Sequence, residues 1–166
     1  MPELKAGDAF PQGVSFSYIP YTPEIQDVKV CGLPQNYDAS KELANKKAVI
    51  VAVPGAFTPT CSSAHLPSYI ANVDKLKAKG VDQVIFLAHN DAFVMSGWGK
   101  VNGITDDFII FVSDPKVAFS SQIGWAGPER ADRYAILVDH GKVVYAAKEA
   151  GPGIALTGAE AILAQL

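Results

Sequence analysis

Three runs constrain the fold more than anything else in the chain: Ala48-Val49-Ile50-Val51-Ala52-Val53, Val84-Ile85-Phe86-Leu87-Ala88 and Phe108-Ile109-Ile110-Phe111-Val112. A strand with one wet face alternates apolar and polar residues. A run apolar at every position must bury both faces, as strands do in a helix-covered parallel sheet. The stretches between them read as that cover. One helix is expected from Thr58 onward, broken locally at Pro67, and another from Asp91 to about Lys100. Asp114-Pro115 then supplies an N-cap and first-turn pair for a helix to about Ile123. Tyr134–Val138 and Lys142–Ala146 flank Asp139-His140-Gly141 and predict an antiparallel hairpin. Thr157-x-x-Glu160 reads as a capping box for a last helix with Ile162, Leu163 and Leu166 on its apolar face.

Toward the N-terminus, Val14–Ile19 alternates with period two and reads as a strand ended by Pro20 and Pro23. Val28–Cys31 reads as its return strand, stopped by Gly32 and Pro34, and Ser40 as the cap of a short helix over Lys41–Asn45. The expected class is α/β: a mixed central sheet flanked by helices, with an N-terminal hairpin extension. No linker divides the chain, so residues 1–166 are expected to form one domain.

Composition removes several function classes. With 14 basic and 17 acidic residues, the chain lacks the concentrated positive field that a nucleic-acid backbone requires. Lys46-Lys47 reads as a solvated turn before a strand. No stretch approaches the roughly 20 apolar residues of a membrane span. Met1–Lys5 lacks the apolar centre of a secretory leader, and Ala164-Gln165-Leu166 resembles the Ser-Lys-Leu peroxisomal address only distantly. Two cysteines make no secreted disulfide scaffold, so the reducing cytosol is the expected compartment, with the peroxisome as the alternative. Gly97-Trp98-Gly99-Lys100-Val101-Asn102-Gly103 has the wrong spacing for a dinucleotide loop and precedes a strand instead of following one. Neither cofactor nor metal is expected: His65, four residues beyond Cys61, would give zinc at most two ligands.

The segment Pro54-Gly55-Ala56-Phe57-Thr58-Pro59-Thr60-Cys61 runs from the carboxyl end of a buried strand into a helix, the edge at which open α/β sheets bind ligands. With Thr58 at the cap and Pro59 in the first position, Cys61 falls among unpaired backbone N–H groups that favour a thiolate. An ordinary cysteine is only about a few per cent ionised at neutral pH. Helix-end effects of about 0.3–1 kcal/mol fall short of the roughly 1.36 kcal/mol needed per pH unit. A cation is therefore required, and Arg130 and Arg133, just ahead of a strand, are the candidates. Taken on placement alone, a cysteine beside an apolar strand is more often packing than chemistry. His65 reads as a residue that packs on or caps the helix, His89 as a strand end and His140 as a turn residue.

Pro54-x-x-x-Thr58-x-x-Cys61 resembles the active-site motif of peroxiredoxins. The fuller Pro54–Cys61 segment, Asn90-Asp91-Ala92-Phe93-Val94-Met95-x-x-Trp98 and Arg133-Tyr134 are similar to the Prx5-like, or redoxin, branch. Fungal peroxisomal-membrane-protein-20-like and allergen members are the most similar. The resemblance implies a thioredoxin-like fold and a thiol peroxidase acting on hydrogen peroxide and alkyl hydroperoxides. Cys61 would be the peroxidatic nucleophile, and the Thr58 hydroxyl would bond sulfur and peroxide. Pro54 would shield the site, and Arg133 would hold the thiolate and the leaving oxygen. Phe57, Phe93 and Trp98 would form apolar walls, or core and dimer contacts. It further implies Cys31 as the resolving thiol of a partner subunit in a homodimer, recycled by thioredoxin, glutaredoxin or glutathione. A one-cysteine cycle, or a small buried side chain at Cys31, is the alternative. A peroxide-sensing thiol relay and a redox-regulated binding protein on the same fold are the rival functions.

Overall fold

In the computed structural model, which describes residues 3–166, the three apolar runs become the central strands β3 (Lys47–Ala52), β4 (Gln83–Ala88) and β5 (Ile109–Ser113). Part of the leader reading above falls on Met1 and Pro2, outside the described residues. β3 and β4 pair in parallel, as do β4 and β5. The hairpin forms as β6 (Tyr134–Asp139) and β7 (Lys142–Lys148), with β6 antiparallel to β3. On the other side, β1 (Ser15–Tyr18) runs antiparallel to β5 and carries β2 (Gln35–Asp38) at the edge. The seven strands lie in the order β2-β1-β5-β4-β3-β6-β7.

β3 shows why its run had to be apolar throughout. Ala48, Ile50 and Ala52 enter one core with Phe16, Phe119 and Tyr134. Val49, Val51 and Val53 enter the other with Phe86, Trp98 and Cys61. Successive side chains point to opposite faces, and both faces are covered. The covering helices are α1 (Ala39–Leu43), α2 (Leu66–Ala71), α3 (Val73–Ala78), α4 (Ala92–Val101), α5 (Ala118–Gln122) and α6 (Ala159–Leu163). Among the described residues no helix is long and apolar enough to cross a membrane.

Four local expectations are corrected. Val28–Cys31 is not a strand; Val28 and Val30 are exposed, and the return strand lies later, at Gln35–Asp38. Asp38, not Ser40, caps α1 by accepting from the Lys41 N–H; the Ser40 hydroxyl ties Val14 N–H to the Pro11 carbonyl. The helix after Asp114-Pro115 is split by left-handed residues at Lys116 and Val117, so Asp114 caps α5 through the Phe119 and Ser120 N–H groups. Gly158 occupies the N-cap of α6, because Thr157 is drawn away to Glu149. For Ser40 and Thr157, a partner from elsewhere in the fold outcompeted the local signal.

Candidate active site

Pro54 ends β3 without an N–H to extend the ladder, and the chain turns through Gly55-Ala56-Phe57. Two bonds set this turn: Ala56 N–H donates to Asn90 Oδ1 (2.9 Å) and the Thr58 hydroxyl donates to the Gly55 carbonyl (2.6 Å). Phe57 takes a left-handed backbone, φ 61°, and leaves its ring exposed. Pro59 and Thr60 are already helical, and the Thr58 carbonyl accepts the first helical bond from Ser62 N–H (3.0 Å). Cys61 thus stands in the first turn, as expected. Residues Cys61–His65 then widen into a π turn, in which Leu66 N–H reaches back to the Cys61 carbonyl. That turn lies directly ahead of Pro67, whose missing N–H makes an ordinary α register costly there.

Cys61 is 1% exposed. From the start of β6, Arg133 donates from Nη2 to the Cys61 sulfur (3.2 Å) and from Nη1 to His65 Nδ1 (2.7 Å). Arginine has only donors, so Nδ1 must be an acceptor and the imidazole proton must sit on Nε2. Nε2 accordingly donates to the Thr157 carbonyl (3.0 Å), which also accepts from Tyr69 (2.7 Å). His65 is wholly buried, and burial pushes its pKa down to about 4. The Thr157 bond opposes that shift and the Arg133 charge adds to it, so the ring is neutral at physiological pH. The Thr157 N–H and hydroxyl donate to Glu149 Oε1 (2.9 and 3.0 Å), and Glu149 N–H returns to the Arg133 carbonyl (2.9 Å). The network closes on the arginine it supports. Such donors stabilise a sulfur anion against the cost of burial.

A cleft of about 410 Å³ opens beside this group, lined by Pro54, Thr60, Arg130, Arg133, Glu149 and the turn 150–153. The sequence of the Redoxin family matches residues 5–163. Peroxiredoxin Pen c 3 of Penicillium citrinum is 56% identical over 98% of this chain and 99% of its own length. Peroxiredoxin AHP1 of Chaetomium thermophilum is 54% identical over 100% of this chain and 96% of its own. The chain belongs to the peroxiredoxin family. Among solved structures, reduced Prx3 of Vibrio vulnificus in complex with H2O2 superposes with a TM-score of 0.81 at 37% identity, covering 97% of this peroxiredoxin and 98% of that chain. The fold is thioredoxin-like, and the activity is the reduction of peroxides through a cysteine.

In this peroxiredoxin, Arg133 reaches the Cys61 sulfur and lines the cleft with Pro54, while Thr58, one helical turn before Cys61, turns its hydroxyl to the Gly55 carbonyl. Cys31 does not join them. It is exposed, in the segment between β1 and β2, and both cysteines are free. That segment is anchored by Lys100 Nζ, which donates to the Val30 carbonyl (2.7 Å), and by Gly32, where a Cβ would stand 2.6 Å from Ile19. Trp98 is a core residue that donates to Ser62 Oγ (3.1 Å), whereas Phe57 and Phe93 are exposed. Sequence reasoning missed His65. Its four-residue spacing from Cys61 was visible, but its partners Arg133 and Thr157 lie 68 and 92 positions away.

Proposed function

We propose that Cys61 is the peroxidatic nucleophile, with the Arg133 donor on its sulfur as the observation that carries the reading. The Cys61 thiolate attacks the terminal oxygen of the hydroperoxide, forming S–O as O–O breaks. Sulfur is oxidised by two electrons to sulfenic acid, and the departing alkoxide or hydroxide takes a proton to leave as alcohol or water. Thr58 has its proton turned to the Gly55 carbonyl, so its oxygen offers lone pairs that accept from the peroxide O–H and orient it. Arg133 meets the charge growing on the leaving oxygen. His65 is a positioning residue, holding one arm of the guanidinium so that the other faces sulfur. Pro54 lines the cleft with Arg133 and exposes no competing N–H.

For the return half, Cys31 of a second copy condenses with the sulfenic acid, forming S–S and releasing water. A dithiol of the thioredoxin kind then reduces the disulfide, with glutaredoxin or glutathione as the alternative reductant. Exposure of Cys31 supports its access to a partner. The working unit is one domain spanning residues 1–166, paired as a homodimer in the cytosol. Replacing Cys61 with serine should abolish hydrogen peroxide consumption in a coupled thioredoxin assay; turnover retained at more than trace level excludes Cys61.

A further inference from the structure

Two guanidinium groups line the cleft, and the peroxide chemistry uses only Arg133. Arg130 sits at the tip of a tight turn closed by the Ala126–Ala131 bridge and by Gly127 N–H donating to its own carbonyl (2.9 Å). Its Nη1 would stand 3.6 Å from a Cβ placed on Gly55, against the turn that carries Thr58. The buried Nδ1 of His89, which has no partner among the described residues, belongs to a ring packed on that same turn. Arg130 itself makes no ion pair among the described residues. The cleft's acids are already engaged. Asp132 pairs with Lys148 (3.4 Å), and Glu149 Oε1 accepts from Leu156 N–H, Thr157 N–H and the Thr157 hydroxyl. Among the described residues neither acid pairs with Arg130, whose guanidinium keeps its donors free of a carboxylate partner. The cleft, about 410 Å³, also far exceeds what hydrogen peroxide fills, since one water takes up about 30 Å³ in the liquid.

We propose that Arg130 determines substrate preference by binding a carboxylate on an organic hydroperoxide whose peroxide end reaches Cys61. A guanidinium matches a carboxylate with two parallel donors, and the fixed turn spares part of the ordering cost. This deepens the assignment of Cys61 as nucleophile and rests on it. Glutathione also carries carboxylates, so the test separates the two sources.

The test is single-turnover oxidation of Cys61 in the full chain by a tertiary alkyl hydroperoxide bearing a terminal carboxylate, compared with its methyl ester. The acid should react roughly three- to tenfold faster than the ester, a ratio that shrinks as salt is raised. Arg130→Gln should bring the ratio to one, and Arg130→Lys should restore part of it. A wild-type ratio of one, or a ratio unchanged in Arg130→Gln, overturns the proposal. So does an acid preference confined to reduction of oxidised Cys61 by glutathione against its dimethyl ester. If hydrogen peroxide itself fails to oxidise Cys61, the nucleophile assignment falls along with it.

Discussion

Arg133 and His65 form a pair in which each side chain explains the other's state. The guanidinium needs an acceptor that does not compete with sulfur for its charge, and a neutral imidazole fixed by the Thr157 carbonyl is one. Losing a charge-assisted bond of about 1.5–3 kcal/mol, Arg133→Ala should slow Cys61 oxidation roughly ten- to hundredfold. Arg133→Lys should fall between, because an ammonium keeps the charge but not the fork that spans Cys61 and His65. Stopped-flow oxidation of each variant measures both. His65 also sets a pH window. Its folded pKa of about 4 lies below the ordinary 6.5, so between those values the unfolded chain binds more protons. The stabilisation is complete above about pH 6.5 and is lost as pH falls toward 4, by up to about 3 kcal/mol. Denaturant titrations should show that slope reduced in His65→Gln; an equal slope would exclude His65 as its source. Pro54, Thr58 and Cys61 were legible in the sequence because their spacing is local. His65 was not, because its neutral tautomer and its purpose come from residues brought in by folding.

α4 shows how tightly an element is fixed to the sheet. A Cβ on Gly99 would stand 2.7 and 2.8 Å from the Phe111 ring, which is itself held by Phe86 and Trp98. Gly97, two residues earlier, has nothing within 4 Å of that position. Alanine gains about 1 kcal/mol over glycine in a helix, but overpacking costs about 1–3 kcal/mol. Gly97→Ala should therefore raise the unfolding midpoint and Gly99→Ala should lower it, and a thermal melt of each decides. The apolar strands and the β6–β7 hairpin were readable because burial on both faces and turn chemistry write themselves into composition. β2 was not, since Gln35-Asn36-Tyr37-Asp38 carries little strand character of its own and is held by its register with Ser15–Tyr18. The apolar Val28 and Val30 suggested a strand, yet they lie on the surface beside Cys31.

The assembled peroxiredoxin separates its two thiols, one buried under Arg133 and one on the surface. In the cycle proposed above, that separation leaves the return half to an encounter between copies. Cys31→Ser should still take up one oxygen at Cys61 but should form no reducible covalent dimer, as read on a nonreducing gel; a dimer that persists removes Cys31 from the cycle. The mixed α/β class followed from the order of the strands and the thioredoxin-like fold from the resemblance to peroxiredoxins, whereas the closed path from Cys61 through Arg133, His65, Thr157 and Glu149 required the coordinates of five separated residues. The most direct measurement is mass analysis after one equivalent of hydrogen peroxide in the presence of a sulfenic-acid trap. We expect the trapped adduct on the Cys61 peptide, and any untrapped, oxidised Cys61 in a disulfide with Cys31. An adduct on the Cys31 peptide with Cys61 still reduced would contradict the account.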